Sequence, residues 1–151
     1  MIKGVKIIEC VQHADNRGFL TEVAKKSQLP EFEWKQTNFT VAHPNVIKAF
    51  HWHQHQFDLW FCTSGNIEAV LFDRRGNSPT QGETQTVILG EYHYASLLIP
   101  SGVAHGYRVV GNKPAGLIYL VSNEYNPANS DEERIPFDDP KIGFDWVTQP
   151  R

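Results

Sequence analysis

Cysteine is scarce in this sequence. Cys10 and Cys62 are the only two in 151 residues. They form no CxxC pair and no zinc-type spacing, which excludes a cysteine-built metal site; two reduced thiols in a cytoplasmic protein are expected. Basic excess is also missing. The formal net charge is −3, so there is no electrostatic footprint for nucleic acid or an anionic membrane. No apolar run approaches the roughly 20 residues that a membrane helix needs. The start, Met1 to Ile8, alternates like a strand and lacks the uninterrupted apolar stretch of a signal peptide. Helical periodicity is weak throughout; only Lys25–Phe32 and Ser130–Arg134 can hold a helical turn. No repeat, low-complexity tract or linker divides the chain, so residues 1–151 read as one domain. Apolar residues make up 40% and charged residues 21%, which is globular and excludes disorder.

What is present is a succession of short strands. Residues 1–12 and Phe19–Val23 flank the turn Asp15-Asn16-Arg17-Gly18. Trp34–Val41 alternates, placing Gln36 and Asn38 on one face. Val46–His53, Phe57–Thr63, Ile67–Asp73, Thr84–Leu89, Tyr94–Ile99, Gly106–Val110 and Ala115–Ser122 follow, punctuated by glycines. Strands at such intervals predict an all-β sandwich or barrel. The aromatic, proline-punctuated tail Ile135–Trp146 is expected to strap across it. Trp34, Trp52, Trp60 and Trp146 are expected in the core or at an interface, and His13, His43 and His93 at the surface.

One stretch stands out: His51-Trp52-His53-Gln54-His55, followed by Asp58. Period two puts the three imidazoles on one strand face. His55 is expected to be a solvated strand-end residue. Downstream lies Pro100-Ser101-Gly102-Val103-Ala104-His105-Gly106. In this order, His-x-His, a carboxylate, the Gly65 turn and Pro-x-Gly-x-x-His resemble the two-part motif of the cupin superfamily. That resemblance implies a cupin-like jelly-roll β-barrel.

A closer likeness runs along nearly the whole chain. Asp15-x-Arg17-Gly18-Phe19-x-x-Glu22, Gln36-x-Asn38, Lys48-Ala49-Phe50-His51, Ser78-Pro79-Thr80, Ile99-Pro100-x-Gly102-x-Ala104-His105-Gly106, Tyr119, Tyr125 within Glu124-Tyr125-Asn126-Pro127, and Asp138-Asp139-Pro140-x-Ile142-Gly143-Phe144-Asp145-Trp146 occur in one order. Together they resemble the dTDP-4-dehydrorhamnose 3,5-epimerase family.

That resemblance implies proton abstraction beside the ketone of a nucleotide-linked 4-keto-6-deoxy sugar, without metal or cofactor, for cell-surface polysaccharide synthesis. It casts His51 as general base and Tyr119 as acid from the opposite face. Arg17, Glu22, Gln36, Asn38, Lys48, His105 and Tyr125 become substrate contacts, with Tyr125 stacking on the base. It also implies a homodimer, because the segment carrying Arg17 reaches into a partner's site. Three positions depart from the family. Asp58 stands where the family has the lysine that stabilises the enolate. His53 replaces a glutamine and Lys48 an arginine. No aspartate follows the Trp146 region to pair with the base. With His53 and Asp58 counted as catalytic, a 3,4-ketoisomerase of sugar nucleotides is one alternative. A divalent metal on His51, His53, Asp58 and His105 is another, since a cation offsets the charge of Asp58. A sugar-nucleotide-binding module without catalysis is the third.

Overall fold

The computed structural model describes residues 1–147. Twelve strands occur among them: β1 (Lys6–Glu9), β2 (Gln12–Asp15), β3 (Gly18–Thr21), β4 (Gln36–Ala42), β5 (Ile47–His53), β6 (Asp58–Ser64), β7 (Asn66–Asp73), β8 (Thr84–Gly90), β9 (Ala95–Ile99), β10 (Val103–Val110), β11 (Ala115–Val121) and β12 (Glu132–Arg134). One sheet runs β1-β9-β6-β11-β4 and the other β12-β5-β10-β7-β8, while β2 and β3 form a separate hairpin. Every pairing is antiparallel. This is the expected all-β, cupin-like jelly roll.

Three apolar clusters explain the sequence pattern. The largest lies between the sheets and includes Trp60, Cys62, Leu71, Leu89, Leu97, Ile99 and Leu117. A second packs the tail residues Ile142 and Trp146 against Phe50, Val70 and Ala104, on the outer face of one sheet. The Phe50 and Trp146 rings lie 5.5 Å apart, and the Trp146 indole donates to the Phe137 carbonyl oxygen at 2.9 Å. The tail is the expected strap. The third cluster joins Leu29 and Phe32 to Leu59 and Leu98 on the outer face of the other sheet. Strands β6 and β9 are therefore covered on both faces, so they read as continuous apolar runs rather than alternating ones.

Two expectations change and two are narrowed. Residues 1–12 do not make one strand: β1 ends at Glu9 and β2 begins at Gln12. Lys25–Phe32 holds only a single 3-10 turn at Lys26–Gln28. Ser130–Arg134, read as a possible helical turn, instead supplies β12, which pairs with β5 as Glu132↔His53 and Arg134↔His51. The free edge of β5 satisfies this backbone better than a helical turn too short to sustain itself. Trp34 is 44% exposed, which removes the core from its two expected places, core or interface.

Alternation sets the site. His51 and His53 of β5 face inward, while Phe50 and Trp52 turn toward the tail cluster. Asp58 shares its face of β6 with Trp60 and Cys62, which enter the central cluster. A close approach between β5 and β10 helps. A Cβ on Gly106 would lie 2.3 Å from Cβ of Ala49, so only glycine lets these strands meet where His51 pairs with His105.

Candidate active site

At one end of the barrel the interior is polar and open. It forms a cavity of about 610 Å³ between the sheets. His51, His53, His105, Lys48 and Glu132 line it from one sheet; Gln36, Asn38, Asp58, Trp60 and Tyr119 line it from the other. His51 and Tyr119 thus stand on opposite walls. Among the described residues, the cavity gathers nine of the expected positions: His51, His53, Asp58, His105, Tyr119, Lys48, Gln36, Asn38 and Tyr125.

At the mouth, the His51 Nδ1 lies 3.0 Å from Glu132 Oε1, with both side chains about a third exposed (30% and 32%). The imidazole donates through Nδ1–H, which leaves Nε2 as the lone-pair nitrogen of the neutral ring. Register places Glu132 diagonally across from His51, two residues from Arg134, which pairs with His51 directly. Burial opposes the charge on Glu132. The His51 imidazole and the Arg134 guanidinium outweigh it and hold the carboxyl below the usual glutamate range. Asp131 secures this arrangement by accepting from the backbone N–H groups of Gln54, His55 and Gln56 at 3.0, 3.0 and 2.8 Å. His55 lies beyond the end of β5, exposed at the cavity rim.

The floor is different. His53, Asp58 and His105 are all buried there, and their ligating atoms lie within 4.8 Å of one another. Asp58 accepts from the Gln56 amide at 2.8 Å and from the Trp60 indole at 3.3 Å. The His53 and His105 rings sit 5.5 Å apart. Burial, only partly countered by the Asp58 carboxylate, pushes the His105 imidazole toward its neutral form. On the far wall, burial raises the Tyr119 phenol, and the Asp58 and Glu132 carboxylates push it the same way. It is therefore a protonated donor at neutral pH.

The polar rim holds the remaining candidates. The Gln36 amide donates to Asn38 Oδ1 at 2.8 Å and accepts from the Tyr125 backbone N–H at 2.8 Å. Lys48 Nζ donates to the Thr40 hydroxyl at 3.1 Å. Tyr125 is exposed, leaving its ring available at the cavity edge.

A family model described as dTDP-4-dehydrorhamnose 3,5-epimerase matches residues 1–151. The chain belongs to that epimerase family. The spore coat polysaccharide biosynthesis protein SpsL of Bacillus subtilis is 46% identical over 149 residues, covering 99% of each chain. The probable low-salt glycan biosynthesis epimerase Agl13 of Haloferax volcanii is 36% identical over 96% of this chain and 94% of its own. Among solved structures, the Legionella pneumophila dTDP-6-deoxy-D-glucose-3,5-epimerase RmlC, in complex with dTDP-4-keto-L-rhamnose, matches with a TM-score of 0.86 at 31% identity. That match covers 97% of this chain and 80% of the Legionella chain.

Two positions implied by the epimerase likeness stand away from this cavity. Arg17 sits at the tip of the β2–β3 hairpin, paired with Asp15 and 86% exposed. Glu22 is paired with Lys25 outside the barrel. Glu132 and Tyr107, like Gln56 and Asp131, are cavity residues that went unread in the sequence. Glu132 carried no local signal, because its partner is brought by strand pairing. Tyr107 follows His105 by two residues, and alternation alone places it inside. Its buried hydroxyl has no partner among the described residues, and burial pushes the phenol up to about 12.

Proposed function

We propose that this protein epimerises a nucleotide-linked 4-keto-6-deoxy sugar at carbons beside the ketone, supplying sugars for cell-surface polysaccharide. The observation that carries this reading is the His51–Glu132 pair on one cavity wall with the Tyr119 hydroxyl on the other.

A proton on a carbon next to a ketone is acidic because the electrons it leaves behind delocalise onto oxygen. His51 Nε2 takes that proton, and the C–H electron pair becomes the enolate. Glu132 accepts the Nδ1–H bond and supports the charge on the imidazolium. Tyr119 returns a proton to the same carbon from the other face, which restores the ketone with inverted configuration. Solvent then reprotonates the phenolate and takes the proton from His51. Protons move and no electrons leave, so no redox cofactor is called for.

The rim suits a nucleotide sugar. Lys48 offers a point charge for the diphosphate, Gln36 and Asn38 offer amides, and Tyr125 offers a face for the base. The names of SpsL and Agl13 support polysaccharide or glycan synthesis, and the bound molecule of the Legionella epimerase supports a dTDP-linked keto sugar. We read the β2–β3 hairpin as an arm that carries Arg17 and Glu22 into the site of a second copy. Exposed Phe19 and Leu20 on that hairpin support a homodimer. Two buried free thiols fit a cytoplasmic setting.

Incubation with a dTDP-4-keto-6-deoxy sugar in heavy water tests the reading. Deuterium is expected at C3, C5 or both, with inversion. No uptake at any carbon beside the ketone would sink it for that substrate. Uptake with the ketone moved to C3 would convert it to a 3,4-ketoisomerase.

A further inference from the structure

The cavity floor holds more electron pairs than protons to share among them. Asp58 Oδ1 lies 3.7 Å from His53 Nε2, and Oδ2 lies 3.7 Å from His105 Nε2. Both separations exceed hydrogen-bond distance. The neighbours fix both tautomers. His105 Nδ1 lies 3.0 Å from the Val103 carbonyl oxygen, which only accepts. That nitrogen therefore carries the proton and Nε2 the lone pair. Gln56 Nε2 lies 2.8 Å from Asp58 Oδ1 and 3.2 Å from His53 Nε2. The carboxylate contact identifies it as the amide nitrogen, so it donates to both and His53 Nε2 is an acceptor as well. Three acceptors converge, on side chains no more than 8% exposed. Gln56 and the Trp60 indole supply neutral donors to His53 and Asp58, but the His105 Nε2 lone pair has none and, among the described residues, no cation offsets the buried carboxylate charge, an imbalance that a bound cation relieves.

We propose that His53, Asp58 and His105 bind a divalent transition ion of the zinc class, through the two Nε2 atoms and the carboxylate. Two imidazoles and one carboxylate suit such an ion, and three protein ligands leave a position open to the cavity. Gln56 and the Trp60 indole orient the carboxylate, and the Gln56 contact to His53 Nε2 gives way to the ion, because that nitrogen has a single lone pair. His51 stays outside the set, engaged by Glu132. On the epimerase reading, on which this role rests, the ion supplies positive charge beside a forming enolate oxygen. Asp58 occupies the place where the family resemblance has a lysine, so the cation restores what the substitution removes.

Cobalt titration of the chelator-treated, tag-free full chain tests the site, with no sugar nucleotide present. Visible absorption and calorimetry should show one equivalent of Co²⁺ with the d–d bands of a four- or five-coordinate ion. Asp58→Asn and His105→Gln should each weaken binding by more than about 100-fold, with circular dichroism confirming their fold. His51→Asn should leave stoichiometry and spectrum unchanged. No saturable uptake by folded wild-type protein overturns the site, as does uptake that survives Asp58→Asn or is lost with His51→Asn. The wild-type titration decides even where a variant misfolds. Its failure leaves the proton-transfer reading intact, whereas absent deuterium uptake by metal-loaded protein strikes that reading and leaves the site.

Discussion

The mouth and the floor of this cavity use the same chemistry in opposite ways. Each places imidazole beside carboxylate. At the mouth, His51 and Glu132 meet at 3.0 Å while a third exposed. At the floor, two imidazoles flank Asp58 at 3.7 Å, almost fully buried. The mouth pair shares a proton through one hydrogen bond, and water can replenish it. The three floor side chains make no hydrogen bond to one another and turn their lone pairs together. Residue type alone does not separate a proton-transfer site from a cation site; distance, tautomer and access to water do.

His51→Asn separates the mouth from the floor most sharply. If the mouth alone removes the proton, deuterium exchange into the keto sugar should fall by about 10³-fold, measured by NMR with the fold intact. A fully active variant would remove His51 as the base. Tyr119→Phe should behave differently, retaining exchange while losing inverted product.

Glu132→Gln asks how much the mouth owes to its partner. It should lower kcat by roughly 10- to 100-fold while KM changes little, because Glu132 acts through His51. Partial rescue by Glu132→Asp would support positioning, and an unchanged kcat would reject it.

Gly106→Ala should disturb mouth and floor together. The added methyl meets Ala49, where β10 carries His105 past β5. A loss of about 1–3 kcal/mol is expected by chemical denaturation. Wild-type stability in the variant would show that the strands can part without cost.

The smallest effect sharpens the electrostatics. Glu132 titrates lower in the folded state than its ordinary value. A carboxyl with a depressed folded pKa contributes stability above its unfolded pKa and loses it as pH falls through the folded one. The stability gap between wild type and Glu132→Gln should therefore be present at pH 7 and vanish in acid below the usual glutamate range. For a pair this exposed it should stay under about 1 kcal/mol. A gap that grows in acid would contradict the assigned pairing.

Much of this was legible before folding. Alternation placed His51 and His53 on one face of β5, and Gln36 with Asn38 on one face of β4. The resemblance directed attention to Tyr119, Lys48, His105 and Tyr125, and all four line the cavity. The partner of His51 was not legible. Ser-Asp-Glu-Glu-Arg has the composition of a helical turn, and its strand conformation comes from the free edge of β5. Arg17 and Glu22 carried a motif, yet their own chain leaves them outside the barrel.

Strand succession, jelly-roll class, family and most of the polar residues along the cavity follow from the order of residues alone. Side-chain alternation and glycine punctuation are local, so they are readable one segment at a time. Folding is what separates His51, which joins Glu132, from His53, Asp58 and His105, which the sequence grouped with it. Those pairings depend on which strand edges meet, at what register and how far from water, and no local pattern encodes that choice.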